Sequence, residues 1–119
     1  MSYVDGFVLP VPKKNKQAYL RVARRMGKIC REHGALEYRE CIADDVKPGK
    51  RTSFPQSVKL KRNEVVWFSF IVYRNRKHRD SVMGKVMKDK RLAAMMNPKA
   101  VPFDGKRMFY GGFKVMVDL

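Results

Sequence analysis

Cysteine is scarce in this 119-residue chain: only Cys30 and Cys41 are present, with no Cys-x-x-Cys spacing. That excludes a disulfide framework and fits a reducing cytoplasm. Acidic residues are scarce too, 11 Asp and Glu standing against 27 Lys and Arg for a net charge of +16. The basic residues are spread evenly, 13 in the first 60 positions and 14 in the rest. Such a surface attracts polyanions and repels copies of itself. No apolar run reaches the roughly 18 residues that a membrane helix needs. The start, MSYVDGFVLP, lacks the charged region and long apolar stretch of a secretion signal. A soluble, unprocessed, cytoplasmic chain without membrane contact is expected. Also missing are a P-loop, a dinucleotide fingerprint, an internal repeat and a low-complexity tract. No Ser, His and Asp spacing identifies a triad, because triads are recognised by geometry. No catalytic motif is legible, and no cofactor is expected.

What is present is organised around Glu64 to Tyr73, EVVWFSFIVY. Val, Ile, Phe, Trp and Tyr favour a pleated strand. A half-wet strand would alternate apolar and polar residues, but here Val66, Phe68, Phe70 and Val72 fill one face while Trp67, Ile71 and Tyr73 fill the other. Both faces must therefore be covered, since each large side chain moved from water to a core contributes about 1.5 to 3 kcal/mol.

Around it the pattern predicts a strand over 3–11 that ends at Pro10 and Pro12. From Asn15, Tyr19, Val22, Ala23, Met26, Ile29, Cys30 and His33 mark one face of a helix with a basic outside, and Gly34 stands at its C-cap. A second strand over 35–42 carries charges that suit a sheet edge. The connection over 43–63 is long and polar, with a short strand expected at 57–60. After the central strand, Val82, Met83, Val86 and Met87 mark a second helix capped by Asn75, a further turn spans 92–96, and Pro98 and Pro102 break it. A last strand over 107–117 closes the order βαββαβ. Right-handed crossovers put both helices on one face of a four-stranded antiparallel sheet, the ferredoxin-like α+β arrangement in one domain over 1–119. Two helices cover one face only. The second apolar face points to an identical subunit, a homodimer packed sheet to sheet.

Four stretches, YVDGFVLPVPKKN, REHGALEYRECIADDVKPGK, TSFPQSVKLK and PFDGKRMFYGGFKVMVDL, closely resemble the YbaA-like bacterial family known as domain of unknown function 1428. The resemblance spans nearly the whole chain. It implies a dimeric α/β-barrel, a superfamily that also contains small monooxygenases with a pocket between sheet and helices. It implies no established activity.

Candidate site residues follow from polar groups on apolar elements. Asp5 shares a strand face with Phe7 and Leu9, where a carboxylate has a raised pKa unless paired. It serves as a base or anchor, or else pairs with Arg79 on the apolar side of the second helix. Glu40, Ser69, His78 and Tyr110 are similarly placed. A small-molecule pocket bordered by Asp5, Ser69, Arg79 or Tyr110 and covered by the 43–63 connection is one expectation. Cys30 and His33 lie three apart on a helix and Cys41 follows, but a fourth ligand is lacking and no metal site is expected. Gly111 and Gly112 mark a bulge or close packing.

The alternative is non-specific RNA or DNA binding through Arg21, Arg24, Lys28 and Arg31, with Lys59, Lys61, Arg62, Arg74, Arg76 and Lys77. The same topology serves the RNA-recognition motif, and Phe68 to Tyr73 approaches its aromatic half. Val66 and Trp67 replace the basic residue and glycine that should lead it.

Overall fold

The computed structural model describes residues 1–95 and 101–119. In chain order these form β1 (Tyr3–Pro12), a 3-10 turn (Lys13–Asn15), α1 (Lys16–Glu32), β2 (Glu37–Ile42), α2 (Phe54–Ser57), β3 (Glu64–Tyr73), α3 (Arg76–Met87), α4 (Lys90–Met95) and β4 (Phe109–Lys114). The strands make one antiparallel sheet in the order β2-β3-β1-β4, the ferredoxin-like α+β fold. The central strand matches its expected limits, and β2 with its charges is an edge.

Register divides the side chains between two faces. Val8 stands opposite Phe68 on β3 and Phe109 on β4, so the even residues of β1 share a face with Val66, Phe68, Phe70 and Val72. The odd residues, Tyr3 to Val11, face the helices together with Trp67, Ser69, Ile71 and Tyr73. There Ile29 and Cys30 of α1, Val82 and Val86 of α3 and Leu92 of α4 complete the core. Burial pushes the Cys30 thiol up to about 11, so it packs as a small apolar residue. Cys41 is exposed and, paired with Phe68, lies on the opposite side of the sheet.

Local signals explain the element ends. Gly34 takes φ +114°, a conformation open to glycine, and closes α1. Asn75 Oδ1 accepts from the His78 backbone N–H at 2.8 Å, capping α3. Asn15 instead donates its side-chain amide to the Pro102 carbonyl at 3.0 Å.

Two expectations are corrected, and a third is narrowed. Ser57 to Leu60 is no strand: Ser53 Oγ accepts from Gln56 N–H at 3.2 Å and starts α2, a local cap competing successfully with sheet pairing. The final strand spans Phe109–Lys114 rather than 107–117: at its end its partner β1 begins at Tyr3, opposite Lys114, and before its start Arg107 is drawn to Glu64. The β1–β4 register is continuous, so of the two alternatives for the glycine pair there is no bulge, and close packing holds at Gly112, where a Cβ would fall on the Tyr3 ring. Of the turn expected over 92–96, α4 covers all but Met96, which with Pro98 lies outside the described residues.

A clasp holds the segment before β4. Arg107 meets Glu64 through two hydrogen bonds, Nη1 to Oε1 at 2.7 Å and Nη2 to Oε2 at 2.6 Å, and donates to the Val58 and Lys59 carbonyls. Those bonds hold the Glu64 carboxyl below its usual range. A depressed carboxyl contributes stability above its unfolded value, about pH 4.3, and loses it as pH falls through the lower folded value. Arg107→Met is therefore expected to unfold more easily than wild type at pH 7 in a urea titration, with the gap narrowing below pH about 4. A gap independent of pH would show that the clasp contributes packing alone.

Candidate functional site

Between the helix side of the sheet and α1 lies a cavity of about 190 Å3. Apolar walls come from Leu9, Val22, Met26 and Ile71, with Leu92, Met95, Pro102, Phe103 and Met108 also lining it. The polar groups gather at one end. Glu40 sits on β2 at the position opposite Ser69 of β3, and both line the cavity. Tyr19 Oη donates to Glu40 Oε1 and Tyr38 Oη to Oε2, each at 2.7 Å. Tyr19 is held edge-on between Trp67, with centroids 4.8 Å apart, and Phe103, at 5.6 Å.

Burial raises the Glu40 carboxyl pKa, and the two phenolic donors offset part of that rise. Burial, reinforced by the neighbouring Glu40 charge, pushes both tyrosines well above the usual phenol value. The phenols stay protonated and act as donors. A carboxylate has about four lone-pair sites, so two remain for a third donor.

The residues expected to border a pocket are distributed differently. Ser69 lines the cavity. Asp5 and Arg79 pair with each other instead, Nη1 to Oδ1 at 2.8 Å, and Tyr73 Oη adds a bond to Asp5 at 3.0 Å. Tyr110 is exposed and stacks on Phe7 with centroids 5.5 Å apart. His78 Nδ1 accepts from the Arg74 backbone N–H at 3.0 Å, within the start of α3, and His33 pairs with Asp89. The 43–63 connection does not cover the cavity: Ala43, Val58 and Leu60 pack on Val8 and Val66, and Phe54 meets Phe68, all on the opposite face. The connection thus covers part of that second face itself, over Val8 and Val66, and leaves Phe68, Phe109 and Phe113 exposed. Glu40 was legible as a carboxylate where the alternation of β2 demands an apolar residue. Its two tyrosines were not, because Tyr19 and Tyr38 fit their elements equally well as core.

The basic residues named for nucleic acid separate. Arg21, Arg24, Lys28 and Arg31 are exposed on α1. Lys61 and Arg62 precede β3 while Arg74, Arg76 and Lys77 follow it, and a ten-residue strand sets these two groups about 30 Å apart. Among the described residues no group of three His, Cys, Asp or Glu side chains is placed to hold a metal, and no helix is long and apolar enough to cross a membrane.

Fold and cavity together define a ferredoxin-like α+β protein with a chamber between sheet and helices. Residues 2–105 match the family described as protein of unknown function (DUF1428), and the chain belongs to that family. Over 118 residues it is 45% identical to the uncharacterized protein YbaA of Escherichia coli K12, covering 99% of each chain. Solved structures share the fold at low identity. SnoaB, a cofactor-independent oxygenase from Streptomyces nogalater, has TM-score 0.63 and 9% identity, covering 99% of this chain and 96% of its own. A dimeric ferredoxin-like protein from an uncultured marine organism has TM-score 0.60 and 8% identity, covering 100% of both. A NIPSNAP domain protein from Burkholderia xenovorans has TM-score 0.59 and 17% identity, covering 95% and 93%.

Proposed function

We propose that the protein binds a small organic molecule in the cavity under α1, with Glu40 accepting a hydroxyl or N–H of the ligand, and that it does so as a homodimer joined through the exposed aromatic part of the other sheet face. The carrying observation is the Glu40 carboxylate, gripped by two phenolic donors at the end of an apolar chamber. Apolar cavities with a few convergent polar groups are the usual form of small-molecule sites. A volume of about 190 Å3 exceeds the roughly 150 Å3 that accepts benzene in an engineered core, so one substituted ring fits. Support for the dimer comes from the part of that face the 43–63 connection leaves open, where Phe68, Phe109 and Phe113 are 41%, 47% and 64% exposed, and from the dimeric protein of the same fold.

Glu40→Gln separates site from scaffold. Because burial raises the Glu40 pKa, ionisation costs stability as pH rises from the unfolded value, about 4.3, through the folded one. A neutral amide escapes that cost, its oxygen accepting from one phenol while its NH2 donates to the oxygen of the other, so Glu40→Gln is expected to be neutral or stabilising at pH 7, within about 1 kcal/mol. It should also weaken binding of ring-sized phenols and indoles, measured by calorimetry, by about tenfold or more. Val22→Phe, which fills the chamber, should abolish binding in the same assay. If neither ligand class binds the wild type at millimolar concentration, the proposal fails.

A further inference from the structure

Outside the cavity runs a groove of about 620 Å3 between α1 and the edge strand β2. Arg24, Lys28 and Arg31 line it from α1 and Arg39 from β2. The two spaces adjoin across a shared wall, Ala23, Tyr38 and Glu40 lining both. The wall between them is thin: Tyr38 lies flat on Gly27, where a Cβ would approach its ring at 2.7 Å. Any larger residue at position 27 would push Tyr38 away and, with it, one of the two donors to Glu40.

The charges of the groove are unbalanced. Its acids are Glu37, which faces Arg39 at 4.0 Å, and Glu40, which is held by the tyrosines. Arg31 is committed to the carbonyls of Ala35 and Leu36. Arg24 and Lys28 have no ion-pair partner among the described residues, although they stand one helical turn apart, where like charges repel.

Resting on the cavity reading, we propose that the ligand is an amphipathic anion: an apolar ring in the chamber, linked past Glu40 to a carboxylate or phosphate held in the groove by Arg24 and Lys28. Scale favours a small anion over a nucleic-acid strand. From Arg24 to Arg31 the helix rises only about 10 Å, enough for one or two anionic groups. The ring supplies burial, and the anion relieves the repulsion between the two cations.

The test compares 3-phenylpropionate and phenyl phosphate with the uncharged 3-phenylpropionamide by calorimetry. The carboxylate and phosphate are expected to bind wild type about tenfold tighter than the amide at low ionic strength, with the preference shrinking in 0.5 M salt, roughly as Debye screening requires. Arg24→Gln/Lys28→Gln, both exposed positions, should erase the preference and leave amide affinity unchanged. Val22→Phe should remove binding of all three. Equal affinity of acid and amide would overturn the anion proposal and leave the cavity reading standing. No binding of any probe would overturn both. Anion binding that survives Val22→Phe would place the anion on the surface alone and overturn the proposal. So would oligonucleotide binding that depends on Arg24 and Lys28 and ignores Val22→Phe, assigning the groove to nucleic acid.

Discussion

Arg79→Met should lower unfolding free energy by about 3 kcal/mol. Removing one partner of a buried pair typically costs about 3–5 kcal/mol, because the other charge is left without water or counterion. The low end applies, since the Arg79 side chain retains 23% exposure while that of Asp5 retains 6%. Asp5 would keep only the Tyr73 hydroxyl, at 3.0 Å. Arg79 also caps the Tyr3 ring, its guanidinium 5.0 Å from the centroid, and that contact disappears as well. The exposed Asp80 partner contributes little. Asp5→Asn/Arg79→Met, which removes both charges, should recover a large part of the loss, so a double-mutant cycle in urea isolates the pairing. If the single variant stays within about 0.5 kcal/mol of wild type, Asp5 is not dependent on its arginine.

Phe68→Asp should convert the proposed dimer to a monomer. Around a two-fold axis one substitution appears twice, and each copy trades an apolar contact for a carboxylate that the interface would have to desolvate. An increase of about a thousandfold or more in dimer Kd is expected, corresponding to about 4 kcal/mol. Circular dichroism should remain native, because Phe68 lies outside the helix-side core. Phe113→Asp on β4 should act in the same direction. The charge adds a second signature. Two chains of +16 each repel, and salt screens that repulsion with a Debye length of about 10 Å at 0.1 M. Wild-type association should therefore strengthen with salt, the opposite of binding to a polyanion. A light-scattering mass that is unchanged by Phe68→Asp would remove the sheet face from the interface.

Where the pattern was strong, the chain's architecture was legible. Glu64 to Tyr73 has no polar alternation, and only a central strand covered on both faces suits it. Asn75 and Gly34 announced helix ends through requirements that are purely local. The 43–63 stretch was harder, since its short-range capping by Ser53 and the pull of Val58 towards Val8 and Val66 oppose what proline and charge content suggest. The last strand was overestimated because its ends are set by other parts of the fold, by where β1 begins and by the hold of Glu64 on Arg107.

Sequence alone determined the βαββαβ order of the main elements, the two apolar faces of the central strand, and the basic exterior, because periodicity and charge are properties of neighbours along the chain. The pairing of Asp5 with Arg79 was one of two readings of the sequence, and the structure selected it; only the tertiary structure decided that Glu40 is gripped by tyrosines from α1 and β2. It also decided that the long connection lies on the far side of the sheet from the cavity. Those outcomes depend on distances between residues as much as 74 positions apart, and such distances are set by sheet register and helix packing together, which no local pattern encodes.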